Sequence, residues 1–292
     1  MKPTTATRTI LFVFRLIPLR LRRKFFTSAF RLFYLASSKH RLIALYNLTR
    51  AFPEKNMGDI IRIAKGVYRH FGIVVAEFFE IPSVTKENLN KWVEFEGLEI
   101  YRKAIAQNKG VLSVIAHFGN WELMTKVFPM VAQRINIIYR PMDNPILDDL
   151  MAWMRTLGGN ALIAKEGAAK KIIRLLRHNE FIGILGDQNV AVNEGVFVDF
   201  FGHPACTSVG TAVFAMNSGA PVLPMFMPRM PNGKYRFIIK PPIEISITGD
   251  DEADILVNTQ RCARAVEDII RRYPDQWLWL HQRWKTKPWQ KN

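Results

Sequence analysis

The sequence predicts an α/β protein in which helices flank a mixed β-sheet and a helical segment at the N-terminus associates with a membrane. Short apolar runs alternate with helical patterns through the middle of the chain, and unbroken runs of Val, Ile and Leu are typical of strands buried on both faces. The beginning of the chain mixes bulky apolar residues with cations. We expect a membrane-anchoring segment at residues 1–40 and one α/β domain at residues 41–292.

The N-terminal segment contains the apolar run TILFVFRLIPL at residues 9–19, interrupted by Arg15 and Pro18 and followed by a basic cluster. Spanning a bilayer takes roughly 20 apolar residues, so this shorter run favours an interfacial or re-entrant helix. Eleven Lys and Arg residues and no Asp or Glu precede Glu54. This distribution predicts attraction to the cytoplasmic leaflet of a membrane. The alternative is a pair of core helices with a basic rim.

The formal net charge of +16 predicts a partner of opposite sign, and nucleic acid and anionic lipid are both candidates. Nucleic-acid binders usually space their cations on a polar face, whereas here the cations are interleaved with apolar side chains. We therefore expect a membrane partner and no nucleic acid. Cys206 and Cys262 lack the spacing of a zinc site or a disulfide framework, so we expect two buried thiols, no metal and no cofactor.

Helical and strand patterns follow one another along the rest of the chain. A long amphipathic helix is predicted at residues 57–81, where Pro82 ends the pattern. Strands are predicted at 111–116, 135–140, 161–164, 181–186, 221–228 and 235–240, and helices at 121–132, 146–157, 167–178 and 252–272. Reactive groups of such sheets gather where the strands end, so the residues that follow these strands are the candidates for chemistry.

The strand that ends at Ala116 is followed by the sequence HFGNWE. His117 would leave the strand tip, Gly119 would permit a tight turn, and Asn120 would cap the next helix. Glu122 would then lie in the first helical turn, on the side of the imidazole. A lone histidine is ordinarily structural, but among the six histidines only His117 has an acid five residues later, and it does so at a strand end. His117 and Glu122 are therefore a candidate dyad.

Other polar residues follow the neighbouring strands. Arg140 would bind a phosphate or a carbonyl oxygen, unless it is an ordinary surface arginine. Asn144 is a second binding candidate, although Asn-Pro is also a common turn. Asp187 follows the strand at 181–186 and would orient Arg140 or the acceptor, or else cap a turn. Gln188 would hydrogen-bond a sugar or a phosphate.

Six ordered sequence blocks together resemble one enzyme family. They are NLTRAFPE (47–54), AHFGNWE (116–122), YRPMDNP (139–145), GDQN (186–189), FFGHPACTSVG (200–210) and WLHQRWK (279–285). The blocks resemble the lipid A late acyltransferases, the lauroyl and myristoyl transferases of Gram-negative lipopolysaccharide synthesis. This resemblance implies a fold of the glycerol-phosphate acyltransferase type, a bacterial inner-membrane location on the cytoplasmic face, and an acyl carrier protein thioester as donor.

The resemblance also implies roles for residues. His117 would act as general base on a lipid hydroxyl, and Glu122 would hold the ring and stabilise the imidazolium, with no covalent intermediate. Thr207 lies in the block that resembles the acceptor-side loop and would bind substrate. The WLHQRWK block suits a membrane interface or a docking site for an acidic carrier protein, or else a terminal helix packed on the core.

The sequence leaves the acceptor lipid and the acyl chain length open. Another polar lipid, such as a phosphoinositol mannoside or an aminolipid, is an alternative acceptor within the same chemistry. A non-catalytic protein that binds the membrane surface is an alternative of a different class. The length of the transferred chain would depend on the depth of an apolar groove, and one methylene changes discrimination by only about 1–3 kcal/mol, so no single residue is a candidate for setting it.

Overall fold

The structure, a computed structural model that describes residues 2–289, is built around a seven-stranded sheet. Its helices are α1 (Thr5–Leu16), α2 (Leu19–Ala36), α3 (Ser38–Ala51), α4 (Met57–Phe78), α5 (Leu98–Ile105), α6 (Trp121–Val127), α7 (Pro145–Thr156), α8 (Ala169–Arg177), α9 (Gly210–Ser218) and α10 (Asp251–Arg272). Its strands are β1 (Val93–Glu96), β2 (Val111–Ile115), β3 (Ile135–Tyr139), β4 (Ala161–Ala164), β5 (Phe181–Leu185), β6 (Gly195–Phe200), β7 (His203–Ser208), β8 (Val222–Phe226) and β9 (Tyr235–Ile239).

The main sheet has the strand order β1-β9-β8-β2-β5-β3-β4. The β8–β9 pair is antiparallel and the other pairs are parallel, so the sheet is mixed, as predicted. Every residue of β2 and β8 is buried, which explains why these strands read as unbroken apolar runs. The predicted α/β fold with helices flanking a mixed sheet is therefore confirmed.

Several elements were not predicted from the sequence. They are β1, α5, α9 and the hairpin formed by β6 and β7, which pair only with each other. The hairpin contains much of the FFGHPACTSVG block, and its two turn residues, Phe201 and Gly202, both have positive φ. Pro204 lies within β7, and a proline inside a strand weakens the strand pattern of the sequence.

The N-terminal helices pack on α4. At their crossing, a Cβ added to Gly72 would lie 2.8 Å from the Thr27 Cα, so the glycine permits a close approach of α2 to α4. The ring of Phe14 in α1 stacks on Phe79 with centroids 4.3 Å apart. No helix within the described residues is long and apolar enough to cross a membrane.

A second face of these helices is exposed and apolar. The exposed residues with large apolar side chains are Phe12, Val13, Leu16, Leu21, Phe25, Leu32, Phe33, Leu35, Leu42 and Tyr46. In α2, Leu21, Phe25, Leu32 and Leu35 recur at spacings of three, four and seven residues, so they form one stripe along the helix. The segment therefore packs on the α/β domain with one face and presents apolar residues on another.

Glu77 ties the N-terminal helices to the sheet. It is 1% exposed, and its carboxylate accepts hydrogen bonds from Arg23 in α2 at 2.9 Å and from the Tyr235 hydroxyl in β9 at 2.5 Å. The guanidinium of Arg229 lies 3.7 Å away. A buried carboxylate with these partners is stable only while they are present, because burial of an unpaired charge is costly.

We predict that Glu77→Ala lowers the free energy of unfolding by about 3–5 kcal/mol, because it leaves the Arg23 and Arg229 charges and the Tyr235 hydroxyl without their buried acceptor. The matched control is Glu94→Ala, which removes an exposed partner of Lys234 at 3.5 Å and should change the free energy by less than about 1 kcal/mol. Urea denaturation followed by circular dichroism measures both. Equal effects of the two substitutions would contradict the assignment.

Candidate active site

The register of two parallel strands brings His117 and Asp187 together. In the β2–β5 pair, Ile115 lies opposite Leu185, so the residues two positions further along each strand also meet. The His117 Nδ1 lies 2.8 Å from the Asp187 Oδ1, and the His117 backbone N–H donates to Oδ2 at 2.9 Å. Trp277 Nε1–H donates to the same Oδ2 at 2.8 Å. Asp187 is therefore the carboxylate that holds the imidazole.

The electrostatics of this pair favour an ion pair. Burial lowers the pKa of His117, but the Asp187 carboxylate, with a smaller contribution from Glu122, reverses this effect, so the pKa is raised. Burial raises the pKa of Asp187, but the His117 charge and the hydrogen bonds from His117 and Trp277 reverse it, so the pKa is lowered. With Nδ1 directed to the carboxylate, Nε2 of the neutral ring is the free base. The His117 side chain is 23% exposed and can be reached from solvent.

The turn after β2 has the form that the sequence predicts. Gly119 has φ +61°, and an added Cβ would lie 2.0 Å from the Met227 carbonyl oxygen. The Asn120 side chain accepts a hydrogen bond from the Leu123 backbone N–H at 3.0 Å and caps α6. The His70 Nε2 lies 3.1 Å from the Gly119 carbonyl oxygen, and burial lowers the pKa of His70 to about 4. His70 is therefore neutral and donates to this carbonyl.

The expected contact between Glu122 and His117 is wrong. Glu122 is buried, but its two carboxylate oxygens accept hydrogen bonds from Arg155 Nε at 2.9 Å and Nη2 at 2.5 Å. Trp121 Nε1–H donates to the same carboxylate at 2.9 Å. The start of α6 turns Glu122 toward α7, which carries Arg155. Trp121 packs edge-on against His117 with ring centroids 5.4 Å apart, so Glu122 lies behind this tryptophan.

The other predicted binding residues divide into two groups. Arg140 and Asn144 are exposed, and the Asn144 side chain caps α7 by accepting from the Ile146 and Leu147 backbone N–H groups. The expected contact between Asp187 and Arg140 does not form, because the hydrogen bonds of Asp187 go to His117 and Trp277.

Gln188 and Thr207 make up the second group, close to Asp187. Gln188 is half-buried directly after Asp187. Thr207 is buried and lines an enclosed crevice together with Asp187 and Arg283. Arg283 donates to the Thr207 hydroxyl and to the Cys206 carbonyl oxygen, the latter at 2.7 Å. Burial lowers the pKa of Arg283 to about 10, which leaves it charged at neutral pH. Cys206 and Cys262 are buried thiols.

The C-terminal segment forms one wall of the site. The Leu278 backbone N–H donates to the His117 carbonyl oxygen at 3.0 Å, and Phe118 forms a β-bridge with Trp277. Trp277, Trp279 and Trp284 are all buried in the core, so these tryptophans form neither a membrane interface nor a carrier-docking surface. The segment is also not a terminal helix, as the alternative had it, but a series of turns.

A small apolar cavity lies near the strand ends on each face of the sheet. Successive residues of a strand point to opposite faces, and Val114 and Ile184 line one cavity while Ile115 and Leu185 line the other. The first cavity lies between the sheet and helices α9 and α10, and the second lies beneath α6 and α7. Their volumes of about 30 and 20 Å³ leave room for about one water molecule each, so neither admits an acyl chain in this conformation.

Comparison with known proteins identifies the family of this chain. The profile of a family described as bacterial lipid A biosynthesis acyltransferase matches residues 4–286. The chain belongs to this family. It is 31% identical over 244 residues to a lipid A biosynthesis lauroyltransferase of Escherichia coli, which covers 83% of this chain and 78% of that protein.

Two further relatives from Escherichia coli belong to the same group. A lipid A biosynthesis palmitoleoyltransferase is 30% identical over 251 residues, covering 84% of this chain and 79% of that protein. A lipid A biosynthesis myristoyltransferase is 24% identical over 253 residues, covering 86% of this chain and 76% of that protein. The family resemblance that the sequence blocks indicate is confirmed.

Sequence reasoning missed Arg155 and His70 as parts of this site. Arg155 lies in the helix predicted at residues 146–157, and nothing near it in the chain marks it as the partner of a carboxylate 33 residues earlier. His70 lies within a long apolar helix pattern, which is typical of a core histidine, and its acceptor is 49 residues away. Both contacts depend on which helices pack together, and helical periodicity alone leaves that open.

We predict that Gly119→Ala disrupts the site much more than Gly167→Ala. Both glycines have positive φ, +61° and +66°, so both substitutions strain the backbone by about 1–2 kcal/mol. Only the Cβ at position 119 also collides with a neighbouring carbonyl; at Gly167 nothing lies within 4 Å. Melting temperature and near-ultraviolet circular dichroism should change strongly for Gly119→Ala alone. Equal decreases in melting temperature for the two variants would contradict this prediction, because they would mean that the clash at position 119 costs no stability.

Proposed function

We propose that this protein transfers a fatty acyl chain from an acyl carrier protein thioester to a hydroxyl group of lipid A or its precursor in lipopolysaccharide biosynthesis. The observation that carries the proposal is the His117–Asp187 pair at the end of β2 and β5, with a partly exposed imidazole whose Nε2 is free to act as the base. The family membership and the names of the relatives favour lipid A over another polar lipid. The acyl carrier protein donor is supported by the resemblance of the sequence blocks.

In the proposed reaction, His117 Nε2 takes the proton of the acceptor hydroxyl while that oxygen attacks the thioester carbonyl carbon. A tetrahedral oxyanion forms, and its collapse breaks the carbon–sulfur bond. The imidazolium returns its proton to the departing thiolate. Asp187 fixes the ring with Nδ1 protonated and stabilises the imidazolium without itself taking the proton, as the carboxylate of a Ser-His-Asp triad does. The acceptor oxygen occupies the place of the serine.

Glu122 acts in this scheme as a positioning residue. Its ion pair with Arg155 and its bond from the Trp121 indole hold the aromatic wall that packs against His117. Its charge also contributes to the raised pKa of His117. Two polar residues that follow strands, the exposed Arg140 and the half-buried Gln188, are proposed to bind a phosphate or sugar of the acceptor. A guanidinium binds phosphate in a bidentate manner.

We further propose that the protein lies on the cytoplasmic face of the bacterial inner membrane. The exposed apolar faces of α1 and α2 support this, together with the cations that alternate with them. Thr4 and Thr7 at the start of α1 bond Asp149 in α7, so α1 lies beside the helix that begins with the exposed apolar residues Ile146 and Leu147. The apolar surface thus continues toward the strand-end edge that carries His117.

We predict that Asp187→Asn impairs catalysis more than Glu122→Gln. Asparagine keeps its one oxygen for the two N–H donors that bond Oδ2, so its NH2 group faces Nδ1 and donates to it. The resulting wrong ring tautomer should lower kcat about 10²–10⁴-fold. Because Asp187 raises the pKa of His117, its loss should also move the acidic limb of kcat/KM to lower pH. Acyl transfer is measured by mass spectrometry with purified protein, acyl carrier protein thioesters and a panel of lipid acceptors.

Controls for this comparison are His117→Ala, expected to lose nearly all turnover, and the wild type. Glu122→Gln should keep the downfield Nδ1–H proton resonance of His117. Loss of this resonance in Glu122→Gln would mean that Glu122, and not Asp187, holds the ring. Turnover of His117→Ala equal to the wild type would overturn the mechanism. A larger loss in Glu122→Gln than in Asp187→Asn, at matched folding, would overturn the assignment of the orienting carboxylate.

We predict that Phe12→Ser/Leu16→Ser weakens binding to phospholipid vesicles by at least about tenfold, because burial of each large apolar side chain contributes about 1.5–3 kcal/mol. The control Ile247→Ser/Val257→Ser removes exposed apolar residues elsewhere and should leave binding unchanged. Point substitutions are preferable to deletion of residues 1–40, since α2 packs along α4 and its loss would expose the core. Equal vesicle binding by both double variants would remove α1 from the proposed membrane surface.

A further inference from the structure

A further pocket lies between α2 and α4, lined by residues that the proposed reaction does not use. Its lining carries three exposed cations, Arg31, Lys65 and Arg69, and no carboxylate. Ser28, Tyr34 and Tyr68 also line it, whereas the hydroxyl of Thr27 donates to the backbone carbonyls of Arg23 and Lys24. Within residues 2–289, neither Arg31 nor Lys65 has an ion-pair partner, whereas Arg69 lies within electrostatic range of Asp275.

The Tyr68 hydroxyl is the unusual group in this pocket. Tyr68 is 1% exposed, and among the described residues no group hydrogen-bonds its buried oxygen. Its ring is fixed edge-on against Tyr34 with centroids 5.2 Å apart. Burial raises the pKa of Tyr68 to about 12, so the hydroxyl is a proton donor at neutral pH. A buried donor without an acceptor is destabilising, and an anionic oxygen entering the pocket would supply the acceptor.

The surroundings of the pocket indicate which anion it would take. Leu35, which lines the pocket, is 60% exposed and belongs to the apolar stripe of α2 with Leu21, Phe25 and Leu32. Ser28 lies on the same stripe by its spacing. A ligand seated here would therefore place its anionic group among the cations and an apolar portion along α2. More than one cation faces the same space, which favours the higher charge and several oxygens of a phosphate over a carboxylate.

We propose that the pocket between α2 and α4 binds the phosphate group of a lipid headgroup, with Arg31 and Lys65 neutralising its charge and the Tyr68 hydroxyl donating to one of its oxygens. This site is separate from the His117–Asp187 pair. It rests on the proposed membrane surface but not on acyl transfer. Bound lipid would fix the rotation of α2 relative to the bilayer and hence the direction in which the strand-end edge faces.

The test compares vesicle binding of four variants with the wild type by sedimentation. The vesicles contain phosphatidylcholine with or without phosphatidic acid. Arg31→Gln/Lys65→Gln removes two pocket cations, and the matched control Arg20→Gln/Lys24→Gln removes two exposed cations of α2 outside the pocket. General attraction to anionic lipid weakens both equally. If the pocket binds the phosphate group specifically, Arg31→Gln/Lys65→Gln should lower the affinity for phosphatidic acid vesicles about tenfold more than the control does.

Tyr68→Phe is the sharpest variant because it leaves the net charge unchanged. We expect it to lower the affinity for phosphatidic acid vesicles about 3- to 10-fold while the melting temperature of the lipid-free protein stays equal or rises. A lower melting temperature together with unchanged vesicle binding would mean that the hydroxyl is satisfied within the protein or by water, and would overturn the proposal.

Competition by inorganic phosphate distinguishes a lipid headgroup from a free phosphate ion as the ligand of the pocket. We expect it to compete only weakly with the vesicles, because it lacks the apolar portion. Saturable binding of inorganic phosphate that is lost in Arg31→Gln/Lys65→Gln, with vesicle binding equal in both double variants, would assign the pocket to a free anion and overturn the lipid. His117→Ala should bind vesicles as the wild type does. The vesicle assay therefore tests lipid binding independently of acyl transfer, and the two proposals can fail separately.

Discussion

The Asp187 carboxylate accepts hydrogen bonds from the imidazole of His117, the backbone N–H of the same residue and the indole of Trp277. The donors lie 70 and 90 residues from Asp187 along the chain, so one side chain joins the end of β2, the end of β5 and the C-terminal segment. Because both oxygens are engaged, the carboxylate cannot rotate without losing a bond to a buried group. The ring tautomer, the course of the chain after β2 and the closure of the C-terminus over the sheet all depend on this interaction.

The parallel register of β2 and β5 sets up this interaction, and register is a property that a single sequence specifies weakly. The sequence predicts both strands and the chemistry at their ends, since apolar runs and the residues after them are local signals. Which strands are neighbours is not local. β2 lies between β5 and β8, although β3 and β4 come between it and β5 in the chain. Asp187 could therefore be recognised as a strand-end acid but not as the partner of His117.

Glu122 illustrates the opposite error. It is the fifth residue after His117, and that short distance along the chain makes it the natural candidate for the orienting acid. The same short distance along the chain prevents contact between the Glu122 carboxylate and the His117 ring. The chain turns sharply at Gly119 and α6 starts at Trp121, so the first turn of the helix directs Glu122 toward Arg155 in α7. The buried carboxylate of Glu122 stays with the half-buried Arg155, because a buried charge that loses its partner is costly. The local motif thus marks a position near the site, while long-range packing decides what its side chain touches.

The N-terminal segment combines the two interpretations that its sequence leaves open. Arg22 and Arg23 bind Glu80 and Glu77, so part of the basic cluster is used to fasten α2 to α4, as in a core helix pair. The remaining cations stay at the surface beside Leu21, Phe25, Leu32 and Leu35. A helix that is fixed on one side can present the other to a bilayer only in one orientation. The ion pairs of Arg22 and Arg23 therefore fix the direction in which the exposed apolar stripe of α2 faces relative to the sheet.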